Sequence, residues 1–225
     1  KLADFVKPGI STLEIDQFGE KAIRDLGCVP NFLNYNGYPA SICVSVNDEV
    51  VHGIPSKDRI LQDGDIVSLD AGLIHEGYHS DAARTHAVGN ISEEAKRLIE
   101  VAKQSFFEGI KLAVPGNHLF DISEAIQKYV ESNGYSVVRD LVGHGIGTHL
   151  HEDPQIPNFK QRRKGMKLRP GMTLAIEPMV NEGSYDVVWL DDDWTVVTED
   201  GSLAAHYENT IVITEDGCEI LTLSE

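Results

Sequence analysis

Cysteine, basic side chains and long apolar runs are all scarce in this 225-residue sequence, and each shortage excludes a class of protein. The three cysteines, Cys28, Cys43 and Cys218, are odd in number and form no CxxC pair. That argues against a disulfide framework or a thiolate zinc site and favours a reducing, cytoplasmic setting. Lys and Arg total 19 against 36 Asp and Glu, a formal net charge of −17. A surface of that sign does not make a general nucleic-acid footprint. No stretch reaches the roughly 20 apolar residues of a membrane helix, so no membrane partner is expected. The phosphate-loop patterns GxxxxGK[ST] and GxGxxG are missing, as is the zincin motif HExxH. What is there is an apolar fraction of 41%, enough to fill a core.

Helix and strand signals are mixed along the chain, which predicts an α/β (α+β) class. Ser11-Thr12-Leu13-Glu14 forms a capping box, and Gly27 suits the left-handed position past that helix. A second helix is predicted from Ser92 to about Ile110, stopped by Val114-Pro115-Gly116. A third is predicted over 121–133, with Asp121 and Glu124 at capping-box spacing and Gly134 as its stop. Strands are predicted over 66–74, 135–142, 172–180, 207–214 and 219–223. Laid on itself at an offset of 107, the chain matches Pro8-Gly9 with Pro115-Gly116, Ile15 with Ile122, Lys21 with Lys128 and Gly27 with Gly134. The same offset carries Leu61-x-x-Gly64 onto Leu168-x-x-Gly171 and Leu69-Asp70 onto Ile176-Glu177. A gap-free match across helix caps and a strand implies a duplication. We expect a single domain over 1–225, built from halves of about 1–110 and 111–225, with a cleft between them.

Each half then offers an acid from an apolar strand. Asp70 follows Asp65-Ile66-Val67-Ser68-Leu69, and Glu177 sits in Leu174-Ala175-Ile176-Glu177-Pro178-Met179-Val180. A buried carboxylate is expensive unless it meets a cation, a donor network or a metal. Residues 66–88 form a predicted hairpin turning at Glu76-Gly77, which sets Asp70 opposite Ala83 and Asp81 opposite Gly72. The two acids become diagonal neighbours, about 7–8 Å apart at Cα. Like charges that close repel unless a cation lies between them, so chelation is favoured over an ion pair. His79 shares this face and is a weaker rival ligand, better suited to a structural role. In Gly143-His144-Gly145-Ile146-Gly147 the glycines would let backbone approach an ion or substrate. Glu208 opens a last apolar strand. Asp70, Asp81, Glu177 and Glu208 with His144 make an oxygen-rich set suited to two divalent ions. Such a pair can bridge and acidify a water, which points to metal-assisted hydrolysis.

Several longer motifs add to this: Lys7-Pro8-Gly9, Tyr35-Asn36-Gly37-Tyr38-Pro39, Ser45-Val46-Asn47-Asp48-Glu49-Val50-Val51-His52-Gly53-Ile54-Pro55, Ile176-Glu177-Pro178-Met179 and Asp191-Asp192-Asp193-Trp194-Thr195. With the His144 stretch they give a sequence that, over essentially its whole length, resembles the type I methionine aminopeptidases of the pita-bread metallopeptidase family. The resemblance implies two pseudosymmetric halves of mainly antiparallel sheet covered by helices. It implies five metal ligands, Asp70, Asp81, His144, Glu177 and Glu208, holding two divalent ions (Co, Mn, Fe or Zn). Glu177 falls on the general base, His151 on the imidazole that holds the scissile carbonyl, and His52 on a contact to the neighbouring peptide. Tyr35, Tyr38, Cys43 and Trp194 fall on the methionine pocket, a soft lining suited to a thioether. The implied activity is removal of the initiator methionine from nascent polypeptides with a small second residue, by a cytoplasmic monomer.

There are departures from the family pattern. His206 and Asn209 stand where the family often has Gln and His, so metal preference is left open. The helix that precedes Lys7-Pro8-Gly9 in the family is expected to be missing here, through truncation. No type II insertion appears between His151 and Glu177. A basic cluster, Lys160, Arg162, Arg163, Lys164, Lys167 and Arg169, is expected to be a solvated loop, with contact to ribosomal RNA as the sharper alternative. An Xaa-Pro aminopeptidase, which would bring an extra N-terminal domain, and a non-catalytic binding member, which would lose ligands, are the rivals.

Overall fold

In the computed structural model, which describes residues 1–223, the chain opens with the one-turn helix α1 (Leu2–Phe5) and then α2 (Thr12–Asp25). The last two residues of the expected 1–225 domain lie outside the described residues. The capping box closes as its spacing requires. Ser11 Oγ accepts from Glu14 N at 3.2 Å, and Ser11 N donates to Glu14 Oε2 at 2.8 Å. Strands β1 (Val29–Pro30), β2 (Ile42–Val46) and β3 (Glu49–Val51) follow, then the long hairpin β4 (Ile66–His75) and β5 (Tyr78–Ala87). The buried carboxylate of Asp16 ties α2 to β2, accepting from Ser41 N at 2.8 Å and Ile42 N at 2.9 Å. Helices α3 (Glu93–Ile110) and α4 (Leu119–Ser132) come next. Helix α4 starts two residues before the predicted Asp121, because Asp121 is not a cap. Its Oδ2 instead accepts from His118 N at 2.9 Å, and no Asp121–Glu124 box forms.

The second half is cut into shorter strands: β6 (Ser136–Val137), β7 (Gly143–Gly145), β8 (Glu152–Ile156), β9 (Thr173–Ile176), β10 (Met179–Asn181), β11 (Val187–Trp189), β12 (Val196–Thr198), β13 (Ala204–His206), β14 (Asn209–Ile213) and β15 (Cys218–Ile220). Two predicted strands are thereby corrected. Residues 138–142 leave the sheet after β6, and the run 172–180 breaks at Glu177-Pro178, where proline has no N–H to give a ladder. The sheets are antiparallel throughout. Strand β4 carries β1, β2 and β5, the five-stranded sheet runs β15-β14-β9-β7-β8, and two three-stranded sheets run β13-β10-β6 and β11-β12-β3.

The offset of 107 recurs in the geometry. Helices α2 and α4 are each 14 residues long, and Gly27 and Gly134 follow them at φ +75° and +87°, a conformation open to glycine. Gly9 N donates to Leu61 O at 2.8 Å and Gly116 N to Leu168 O at 3.1 Å. The bridge Ser11–Ile60 has its counterpart in His118–Lys167. One apolar core joins α2 to β2 and β4 through Ile15, Ile23, Ile42 and Val44. A larger one packs α3 and α4 under the second-half sheets around Leu98, Phe106, Ile122 and Ile126. Among the described residues no helix is long and apolar enough to cross a membrane.

Candidate metal centre

Strands β4 and β5 pair in the register that alternation demands: Ile74 faces His79, Asp70 faces Ala83 and Gly72 faces Asp81. That puts Asp70 and Asp81 on one face of the hairpin. Glu177 and Glu208 arrive by a different route. Strand β9 pairs with β14 and β10 with β13, so the two segments form one antiparallel ribbon, interrupted at Glu177-Pro178 and Tyr207-Glu208. At the interruption Tyr207 N donates to Pro178 O at 3.2 Å, and Glu208 N donates across to Ala83 O of β5 at 2.9 Å. Both glutamates therefore stand off the ladder, beside the hairpin acids. His144 comes from β7. Its Nδ1 lies 2.9 Å from Gly145 O, which can only accept, so Nδ1 carries the proton and Nε2 presents a lone pair. Nε2 stands 3.6 Å from Glu177 Oε1 and 3.9 Å from Asp81 Oδ2.

Two of the glycines around His144 are required by strand packing. A Cβ on Gly143 would lie 2.4 Å from Ala175 O, and one on Gly145 would lie 2.3 Å from Asp153 O. They let neighbouring strands close on β7. His79 has the structural role favoured for it, with Nδ1 3.4 Å from Asn31 Nδ2.

Among the described residues no Lys or Arg forms an ion pair with the acid cluster, and Arg84 offsets only part of the charge on Glu208 from a distance. The ion pairs of these acids are with His144 and His206 alone. Arg84 is spent on backbone and amide: Nη1 donates to the carbonyls of Ala83 and Glu208, and Nη2 donates to Asn209 Oδ1 at 2.6 Å. Its guanidinium also lies 4.2 Å over the Tyr207 ring. Burial, before any other cause, pushes the Asp70 carboxyl up to about 7. Burial followed by mutual repulsion holds Asp81, Glu177 and Glu208 well above the usual carboxylate range. Asp70 Oδ1, Asp81 Oδ1 and Glu208 Oε1 are buried without a hydrogen-bond donor. Unpartnered acceptors in this number fit divalent cations. The donor atoms gather into two triads, each within 4.8 Å: Asp81, His144 and Glu208, and Asp70, His206 and Glu208. Glu177 belongs to neither triad and touches the centre through His144.

A cavity of about 290 Å3 opens on the centre. The four acids and the His144 imidazole line it, together with His52, His151, Tyr35, Tyr38, Cys43 and Trp194. Phe32, Leu150 and Met179 line it too. Sequence inspection passed over these three because an apolar residue reads as ordinary core. His151 Nδ1 lies 2.7 Å from Tyr35 Oη, and its ring is 4.3 Å from that of His144. Tyr35 thus lines the cavity with its hydroxyl engaged by a histidine. His52 takes a left-handed φ of +60°, and burial, then His151, draws its pKa down to about 4, leaving a neutral ring. Tyr38 Oη donates to Gly53 O at 2.9 Å and meets Trp194 edge-on at 5.1 Å, a wall beside His52. Cys43 pairs with Asp70 across β2–β4, and burial pushes its thiol up well out of the nucleophilic range.

A fold of antiparallel sheets under helices, closed on an acid-rich metal centre, defines a metallopeptidase. The model of metallopeptidase family M24 matches residues 1–215, and the chain belongs to that family. A methionine aminopeptidase from Clostridium acetobutylicum is 59% identical over 219 residues, 97% of this chain and 88% of that protein. The crystal structure of a methionine aminopeptidase from Thermotoga maritima superposes with a TM-score of 0.97 at 48% identity, covering 99% of this chain and 90% of that one. Within the family the chain therefore falls among the type I methionine aminopeptidases, metal-dependent exopeptidases of pita-bread fold. The Xaa-Pro rival is more remote: an Xaa-Pro dipeptidase from Bacillus anthracis gives a TM-score of 0.79 at 26% identity, and this chain covers 56% of it.

Proposed function

We propose that this protein removes the N-terminal methionine of newly made polypeptides whose second residue is small, with two divalent cations held by Asp70, Asp81, His144, Glu177 and Glu208. What carries this is the buried acid cluster, with carboxylate oxygens that no donor meets, beside a cavity walled by Tyr38, Cys43 and Trp194. When bound, the cations acidify a water and polarise the scissile carbonyl. Cobalt, manganese, iron and zinc all suit the donor set.

The chain's own groups supply the rest. Glu177, beside the His144 imidazole, takes a proton from the attacking water and later returns it to the leaving amine. His151 Nδ1 lies 2.7 Å from Tyr35 Oη, and in the tautomer in which the phenol donates, His151 Nε2 carries the proton and donates a hydrogen bond to the developing oxyanion. Neutral His52 donates to the peptide beside the cleaved bond and, with the wall of Tyr38 and Trp194, crowds a large second side chain. The thioether of methionine packs on the aromatic rings and the protonated Cys43 thiol. We place the enzyme in the cytoplasm as a monomer, in keeping with its free cysteines. The basic segment 160–169 would meet ribosomal RNA. Lys160 is tied to Glu124 at 2.5 Å, while the other five cations of the cluster are exposed. Ribosome cosedimentation that keeps its salt dependence after charge reversal of all six would remove that contact.

The deciding experiment compares Met-Ala-Ser with Ala-Pro-Ala peptides on protein loaded with Mn, Fe or Co. Release of Met from the first alone is expected. Cleavage of the second, or of neither with any metal, would overturn the proposal.

A further inference from the structure

We infer that His206 binds metal: its imidazole is the nitrogen donor of a second cation position on Asp70 and Glu208, as His144 is for the position on Asp81 and Glu208. This rests on the two-cation reading above and extends it to a sixth side chain. The two triads have the same composition, an aspartate, an imidazole and the shared Glu208, and each closes within 4.8 Å.

His206 has no other employment in the fold. Its side chain is 2% exposed, and neither Nδ1 nor Nε2 has a hydrogen-bond partner. An imidazole buried with both nitrogens idle is costly unless something electrophilic meets it. Nε2 stands 3.9 Å from Glu208 Oε2. The backbone is pinned on both sides, since His206 N donates to Thr85 Oγ1 at 2.8 Å and Thr85 Oγ1 donates to His206 O at 3.0 Å. Pairing with Met179 across β13–β10 fixes the residue in register beside the ribbon interruption. Arg84, held by Asn209 Oδ1 at 2.6 Å and by the Glu208 backbone carbonyl, makes no ion pair with the Glu208 carboxylate. With one imidazole at each position the centre is less purely oxygen-ligated than the other five ligands alone would make it. The second position should then favour cobalt, nickel or zinc over manganese and magnesium.

X-ray absorption on the protein carrying two equivalents of zinc tests this without any variant. It should count about one imidazole per zinc, because two histidines serve two ions. His206→Gln should bring the count to about half and weaken the second cobalt site, followed by visible absorption, at least about tenfold, while circular dichroism and the first site stay as they were. About half an imidazole per zinc in the unmodified protein, or an unchanged count and affinity in His206→Gln, would overturn the inference and leave two-cation binding standing. Unmodified protein that takes up fewer than two cations would instead sink the reading on which the inference rests, and the inference with it.

Discussion

The two halves of the molecule deliver their acids by opposite means. Asp70 and Asp81 are ordinary members of a ten-residue ladder, and their common face follows from alternation and a two-residue turn. Glu177 and Glu208 stand where a ladder fails, at the point where one ribbon passes from the five-stranded sheet to a three-stranded one. In the first case regularity aims the side chain; in the second its interruption does. Acids placed by a period can be located from local sequence. Acids placed by a break depend on which strand lies alongside, here β5 against Glu208.

The sharpest way to break this comparison is to remove one acid from each half. Glu208 belongs to both triads, whereas Asp81 belongs to one. Glu208→Ala should therefore weaken both cation positions by more than about 100-fold and abolish turnover. Asp81→Ala should spare one position. Metal content after gel filtration reads the difference. A Glu208→Ala protein that keeps the full metal content would mean that the ribbon acid is not shared.

A second effect is smaller and concerns the acids together. Folded, metal-free protein holds on Asp70 a proton that the unfolded chain releases at the ordinary value of 3.8, because burial raises the folded value to about 7. Asp81, Glu177 and Glu208 are displaced in the same direction. The folded state thus binds more protons than the unfolded one across this window, and stability of the metal-free protein falls as pH rises from about 4 to 7. Cations that replace those protons should reverse the trend. Thermal midpoints with chelator and with added cobalt should diverge as pH rises. Parallel curves would show that the acids are balanced in some other way.

Much of the centre was open to inspection of the sequence, for reasons that differ by residue. The hairpin register needed only Glu76-Gly77 and period two. The helix bounds of α2 and α3 followed from Ser11 and Ser92, whose hydroxyls accept from Glu14 N and Ala95 N. The strand expected over 172–180 failed because the apolar run hid the consequence of Pro178. His206 was visible only as a departure from a family pattern, since burial with idle nitrogens is a property of packing rather than of spacing. Arg84 gave no signal at all: its partners, Glu208 O and Asn209 Oδ1, lie far along the chain.

The smallest test compares the halves at their helix starts, where equal length conceals unequal caps. In α2 the Ser11 hydroxyl and the Glu14 carboxylate satisfy each other's backbone donors. In α4 the back-bond from His118 N to Asp121 carries the cap, with the His118 ring 3.8 Å from the same carboxylate. Ser11→Ala removes an acceptor and leaves Glu14 N without its partner, which should cost about 1 kcal/mol. In a chain of this size that lowers the thermal midpoint by about 3 °C. Asp121→Ala loses one partly exposed acceptor and one favourable charge at a helix start, for about 0.5 kcal/mol. Neither should alter metal content, since both caps lie outside the triads. Equal losses in the two variants would mean that the reciprocal bond at Ser11 adds nothing to the single one at His118.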